Sequence, residues 1–237
     1  MQRLLYCVAH PLAGRYNFEV SSSMDIQFEE WKSKDLHKGK LFITDGIIKE
    51  ELWLSSPHKV MFLLKEAYDS RRESGSWDLP KLINKRGVSG RTFKPMAQWA
   101  YGIHKILDGH GIVPFVEKGD DVKNALLSSA IVNLKKSSGK KSSSQKDLMK
   151  YVDEDWELIR SQICSIAPQV VVCGKTWSLI SGKLDDKVKI SDRAYISNGI
   201  IYINYWHPSN RSSNVMNYYA LCSIVEMAIK ASVKLKL

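Results

Sequence analysis

The stretch Val60-Met-Phe-Leu-Leu-Lys-Glu-Ala-Tyr-Asp69 decides how the rest of the chain is read. Its first five residues are apolar without a break, and a charge cluster then begins abruptly. A short continuous apolar run suits a strand buried on both faces, as in a parallel sheet. Lys65, Glu66 and Asp69 then fall at or just past the carboxyl end of that strand, where open α/β sheets place their ligands. Taken alone, such charges read more readily as ordinary loop residues than as a site.

Three further segments share this apolar character: Ser129–Leu134, Gln169–Cys173 and Ile200–Asn204. Between them lie stretches with helical spacing. Asp25–Leu36 carries Ile26, Phe28 and Trp31 among charges, and Glu50–Leu54 forms a short helix before Pro57. Thr92–Leu107 has the stripe Phe93, Met96, Trp99, Ile103 and Leu107. Asp120–Leu127, Asp153–Ile166 and a final helix to about Ala231 complete the set. Strands alternating with helices give an α/β fold, a three-layer α/β/α sandwich around a mainly parallel four-stranded sheet. Residues 1–24 read as an arm or an over-long start, with Met24 as the alternative. Residues 25–237 read as one α/β domain.

Lys135–Lys146, with Lys135-Lys136 and Lys140-Lys141 as two pairs, is low in complexity and basic. Such composition cannot bury a core, so 135–146 reads as a mobile loop, either a phosphate-contacting segment or a solvated tether. The whole chain carries 35 Lys plus Arg against 25 Asp plus Glu, a formal charge of +10. That excess favours a polyanionic partner, nucleic acid first and an anionic membrane surface second. No apolar run reaches the roughly 18 residues of a membrane span. Cys7, Cys164, Cys173 and Cys222 are scattered without a C-x-x-C pair, so neither a metal nor an iron–sulfur cluster is expected. Cys173 and Cys222 read as buried thiols in a reducing cytoplasm. Gly174-Lys-Thr resembles the tail of a P-loop, but the preceding glycine of G-x-x-x-x-G-K-[ST] is missing.

Three of the four strands end in a group able to react: Glu66, Asn133 and His207. In parallel strands these ends share one rim. Lys65-Glu66-Ala67-Tyr68-Asp69, Ile131-Val-Asn133-Leu and His207-Pro208-Ser209-Asn210-Arg211 together resemble the motifs of the uracil-DNA glycosylase superfamily, in order and spacing. Lys65 and Tyr68 stand where that family commonly has glycine and proline, which brings the chain nearer a divergent prokaryotic branch resembling antiviral enzymes that act on modified phage bases.

The resemblance implies a DNA glycosylase that hydrolyses the N-glycosidic bond of a flipped-out pyrimidine, uracil or a modified base such as glucosylated hydroxymethylcytosine. In it Glu66 stabilises the sugar cation and orients water, with Asp69 as the rival for that role, and His207 stabilises the departing base. Asn133 reads the base edge, Tyr68 and Trp77 wall the pocket, and Lys65, Lys135, Lys136, Lys140, Lys141, Ser209 and Arg211 meet phosphate. It implies no cofactor and a monomer. A non-catalytic nucleic-acid-binding protein on the same fold and a nucleoside N-glycosidase are the other readings.

Overall fold

The structure is a computed structural model that describes residues 27–69, 74–139 and 143–234. The chain is helical over 27–33 (α1), then forms β1 (Phe42–Thr44), β2 (Gly46–Ile47), α2 (Glu50–Ser55), β3 (Val60–Tyr68), β4 (Ser76–Asp78), α3 (Leu79–Arg86), α4 (Gly90–Leu107) and α5 (Asp120–Leu127). It continues through β5 (Ala130–Gly139), α6 (Gln145–Ile166), β6 (Val170–Gly174), α7 (Trp177–Ile180), β7 (Val188–Ser191), β8 (Ala194–Ser197), β9 (Ile200–Tyr205) and α8 (Asn214–Lys234).

The strands form a nine-stranded mixed sheet in the order β4-β1-β5-β3-β6-β9-β8-β7, with β2 also paired to β5. Its middle, β5-β3-β6-β9, is parallel and contains the four strands expected from sequence. The expected four-stranded sheet is therefore too small. β1, β2 and β4 are two or three residues long, too short to show a period, and β7 carries exposed residues. The chain goes from β3 to β5 on one side and then to β6 on the other, so the strand order reverses at β3. Such a reversal opens a crevice beyond the carboxyl ends of the strands.

Strand β3 shows why its sequence reads as it does. Val60, Phe62 and Leu64 pack into one core with α3, α4, α5 and α8. Met61 and Leu63 pack into the other with α1, α2, α6 and α7. Side chains alternate across a strand, so burial on both faces requires apolar residues at every position. Cys173 and Cys222 are free and buried. No helix among the described residues is long and apolar enough to cross a membrane.

The expected mobile loop at 135–146 is corrected at both ends. Residues 135–139 continue β5, and α6 begins at Gln145, eight residues before the expected start at Asp153. Ser144 caps that helix, its side chain accepting from the Asp147 N–H. Lys140 and Lys141, and the arm 1–24, lie outside the described residues.

Helices α4 and α8 meet at Gly102, where an added Cβ would stand 2.5 Å from Cys222 Sγ and 2.6 Å from a Tyr218 ring carbon. An alanine in a helix interior gains about 1 kcal/mol over glycine, whereas overpacking costs about 1–3 kcal/mol. The ring and thiol are both buried and cannot yield, so the clash wins. Gly102→Ala is expected to lower the unfolding free energy by about 1–2 kcal/mol; equal or higher stability in urea denaturation would show that this helix contact relaxes.

Candidate functional site

The crevice at the strand reversal is a cavity of about 800 Å³ lined by residues from widely separated places in the chain. β3 supplies Leu64 to Tyr68, β5 supplies Asn133, and the turn after β6 supplies Lys175. The segment after β9 supplies Trp206, His207 and Ser209, and the α3–α4 region adds Arg91 and Phe93. Glu66, Asn133 and His207, separated by as many as 141 positions in sequence, thus line one cavity. Tyr68, Trp77 and Lys65 line it as well.

His207 follows β9 directly. Its Nδ1 lies 3.2 Å from the Ser209 backbone nitrogen and 2.8 Å from Ser209 Oγ. A backbone N–H only donates, so Nδ1 is the acceptor and the proton of the neutral ring sits on Nε2. Burial, then the charges of Lys65 and Lys175, lowers its pKa from 6.5 to about 4. At neutral pH the ring is therefore an uncharged Nε2–H donor.

Glu66 is held differently. Its side chain is 4% exposed, and Oε2 lies 3.1 Å from Lys135 Nζ. Lys135 also bonds Asp147 at 2.7 Å and covers the Tyr151 ring. Burial alone would lower the Lys135 pKa, but the bonds to Asp147 and Glu66 outweigh it and hold it raised. The opposite wall is Gly139, where a Cβ would come within 2.1 Å of the Glu66 carboxyl carbon. Only glycine lets the two strands close around this carboxylate.

Asn133 is fixed from behind. Its backbone N–H and Nδ2 both donate to Asp45 Oδ2, at 2.8 and 3.1 Å. The other Asp45 oxygen accepts from Lys136 Nζ at 2.6 Å and from Gln162 Nε2 at 3.1 Å. Because a carboxylate only accepts, the amide nitrogen of Asn133 faces Asp45, leaving the amide oxygen to accept from a ligand. Lys136 is fully buried, which lowers its pKa against the opposing pull of Asp45.

Lys135 and Lys136 are thus corrected from phosphate contacts to buried supports of Glu66 and Asn133. Asp69 is absent from the cavity lining; its backbone N–H donates to Ser138 Oγ at 3.3 Å. Arg211 opens onto a neighbouring cavity of about 730 Å³ with Arg91, Lys94, Ser209 and Asn210.

Sequence reasoning missed Asp45, Gly139, Lys175 and Trp206. Asp45 had a signal: a lone acid within Leu41-Phe-Ile-Thr-Asp-Gly-Ile-Ile48 needs a partner if buried. Lys175 had one too, since it follows a strand end on the same rim. It adopts φ +61, with its N–H donating to the Cys173 and Tyr205 carbonyls, both at 2.8 Å. Left-handed backbone in a lysine is strained, and such strain gathers at functional sites. Trp206 is 49% exposed, with Arg193 over its ring.

A second constellation has hydrolase-like residue types. His37 Nδ1 lies 2.6 Å from Ser137 Oγ, and Nε2 lies 2.8 Å from Asp155 Oδ2. All three are at most 1% exposed, so no substrate reaches them, and they serve as a satisfied polar contact inside the core. Among the described residues no group of three or more His, Cys, Asp or Glu side chains gathers as a metal site.

No family model matches the chain, and no curated protein matches it.

Removing the Asp45 carboxylate strands the Lys136 charge and frees Asn133. Breaking a buried pair in this way costs about 3–5 kcal/mol. Asp45→Ala is expected to lose that much stability, and the double change Asp45→Leu with Lys136→Met is expected to recover most of it. A loss under 1 kcal/mol in the single variant, measured by denaturation, would mean that water reaches Lys136.

Proposed function

We propose that the protein is a DNA N-glycosylase of the uracil-DNA glycosylase type, which hydrolyses the bond between C1′ and a flipped-out pyrimidine to leave an abasic site. The observation that carries this reading is the convergence of a buried carboxylate, an oriented amide and a neutral imidazole on one cavity. The parallel order β5-β3-β6-β9 supports the fold relationship.

Breaking the N-glycosidic bond leaves positive charge on the sugar and negative charge on the base. The Glu66 carboxylate stabilises the sugar cation and aligns the water whose oxygen adds to C1′, taking its proton. His207 Nε2–H donates to a carbonyl oxygen of the departing base. A neutral donor suits this role, since it bonds the developing anion without needing to be charged beforehand. Lys65 and Lys175, which repel a proton from His207, also favour negative charge at the same place. The Asn133 oxygen accepts an N–H on the base edge. Tyr68, Trp77, Phe93 and Trp206 supply faces for the extruded base and its neighbours. Arg91 and Arg211 beside the cavity suit the flanking phosphates.

A cavity of about 800 Å³ has room for a base bearing a bulky polar substituent as well as for uracil. The formal charge of +10 favours DNA over a free nucleoside. Absence from membranes, a cytoplasmic setting, a monomeric state and a part in antiviral defence belong to the same proposal.

Glu66→Gln keeps the shape and removes the charge. It is expected to slow abasic-site formation at least 100-fold while DNA affinity stays within about threefold, because a positioned group of this kind contributes about 10²–10⁴ in rate. Unchanged abasic-site formation would refute the role of Glu66.

The pH profile tests His207. Its pKa is depressed in the site, so the neutral form persists below pH 6.5 and is lost as pH falls through about 4. The kcat/KM for base release is expected to show no fall around pH 6.5 and an acid limb near 4. A limb centred at 6.5 would show an ordinary, solvated histidine.

A further inference from the structure

Two lysines of the cavity have surroundings that base hydrolysis alone does not explain. Lys65 and Lys175 both line the cavity, from β3 and from the turn after β6. Among the described residues neither side chain has an ion-pair partner within 4 Å, unlike Lys135 and Lys136 on the neighbouring strand. Lys65, Lys175 and His207 line this one cavity, with the charges of both lysines acting on His207. An ammonium that is half-buried, unpaired and facing a second cation releases its proton readily. Burial and then Lys175 indeed lower the Lys65 pKa, with Glu66 opposing. A lysine meant only to grip phosphate gains nothing from such surroundings. An amine meant to attack carbon needs them.

We propose that the Lys65 amine is a nucleophile toward the abasic sugar, giving the protein a second activity as an abasic-site lyase. The proposal rests on the glycosylase reading for the placement of the sugar in the cavity. Loss of the base leaves a sugar in equilibrium with its open-chain aldehyde. The Lys65 nitrogen adds to C1′, the aldehyde oxygen departs as water, and a C1′=N imine remains. The imine acidifies C2′, whose proton passes to the Glu66 carboxylate lining the same cavity. The released electron pair forms a C2′=C3′ bond as the C3′–O bond breaks and the 3′ phosphate leaves. Water then hydrolyses the imine and restores the amine, so the strand is cut without oxidant or cofactor. Lys175 is a positioning residue that keeps the Lys65 ammonium acidic.

The test uses DNA that already holds an abasic site, so it does not depend on base release. The full-length protein is mixed with this DNA and borohydride, which reduces an imine to a stable amine link, and the adduct is mapped by mass spectrometry. The expected result is one trapped DNA chain per protein, attached at Lys65, together with strand cleavage when borohydride is left out. Lys65→Arg, which keeps the charge but not the nucleophile, is expected to lose both. Lys175→Met is expected to keep the adduct but to form it at least tenfold more slowly at pH 7, with the deficit closing as pH rises. No adduct in the wild-type protein, or an adduct mapped to another residue, would overturn the proposal. Base release measured in parallel separates this outcome from failure of the glycosylase reading: base release without an adduct sinks only the lyase.

Discussion

The Lys136–Asp45 ion pair, at 2.6 Å and with both side chains wholly inaccessible, is the contact on which the cavity depends. A buried ammonium is tolerable only if its hydrogens find partners. Here Asp45 and Gln162 accept them. In doing so they pin the bend between β1 and β2 to β5 and to α6. Asp45 then spends its second oxygen on the backbone and side chain of Asn133. Lys136 also lies over the Trp31 ring, so α1 joins the same knot. Asn133, which lines the cavity, is thereby oriented by a charge buried behind it.

The other half of the cavity follows the same logic with different parts. Lys135 holds Glu66, and Gly139 lets β5 close against it. The register between β3 and β5 shifts between Glu66 and Tyr68, where the partners change from Lys135 to Gly139. A bulge of this kind re-aims side chains at the end of a strand. Two adjacent lysines on one strand therefore support two different residues of the cavity, Lys135 holding Glu66 and Lys136 acting through Asp45 on Asn133. His207 is fixed more locally, by the turn that brings the Ser209 N–H back to its ring.

The central strands were legible because burial on both faces leaves a five-residue apolar run, and the shared rim then follows from parallel pairing. That reasoning was enough to bring Glu66, Asn133 and His207 together. It failed at Lys135 and Lys136, because lysine beside serine and glycine carries the composition of a solvated loop. Burial of those lysines is decided by Asp45, Gln162 and Asp147, which are remote in sequence and give no local periodicity. Gly139 was illegible for a related reason: its need for a hydrogen side chain comes from Glu66 on another strand, not from its own backbone. Strands β1, β2 and β4 escaped notice because two or three residues cannot display alternation. Lys175 lay in plain view after a strand end, but Gly174-Lys-Thr, lacking the first P-loop glycine, read only as a strand-to-helix turn.

These supports place a carboxylate, an amide oxygen and a neutral imidazole around a space large enough for an extruded, substituted base. The activity proposed for this arrangement is the cutting of N-glycosidic bonds in DNA. The most direct measurement is to incubate the protein with uracil-containing DNA and with hypermodified phage DNA, then identify any released base by mass spectrometry. The expected result is a free pyrimidine, modified or not, appearing in step with abasic sites. Bound DNA from which no base is ever released, across both substrates, would contradict it.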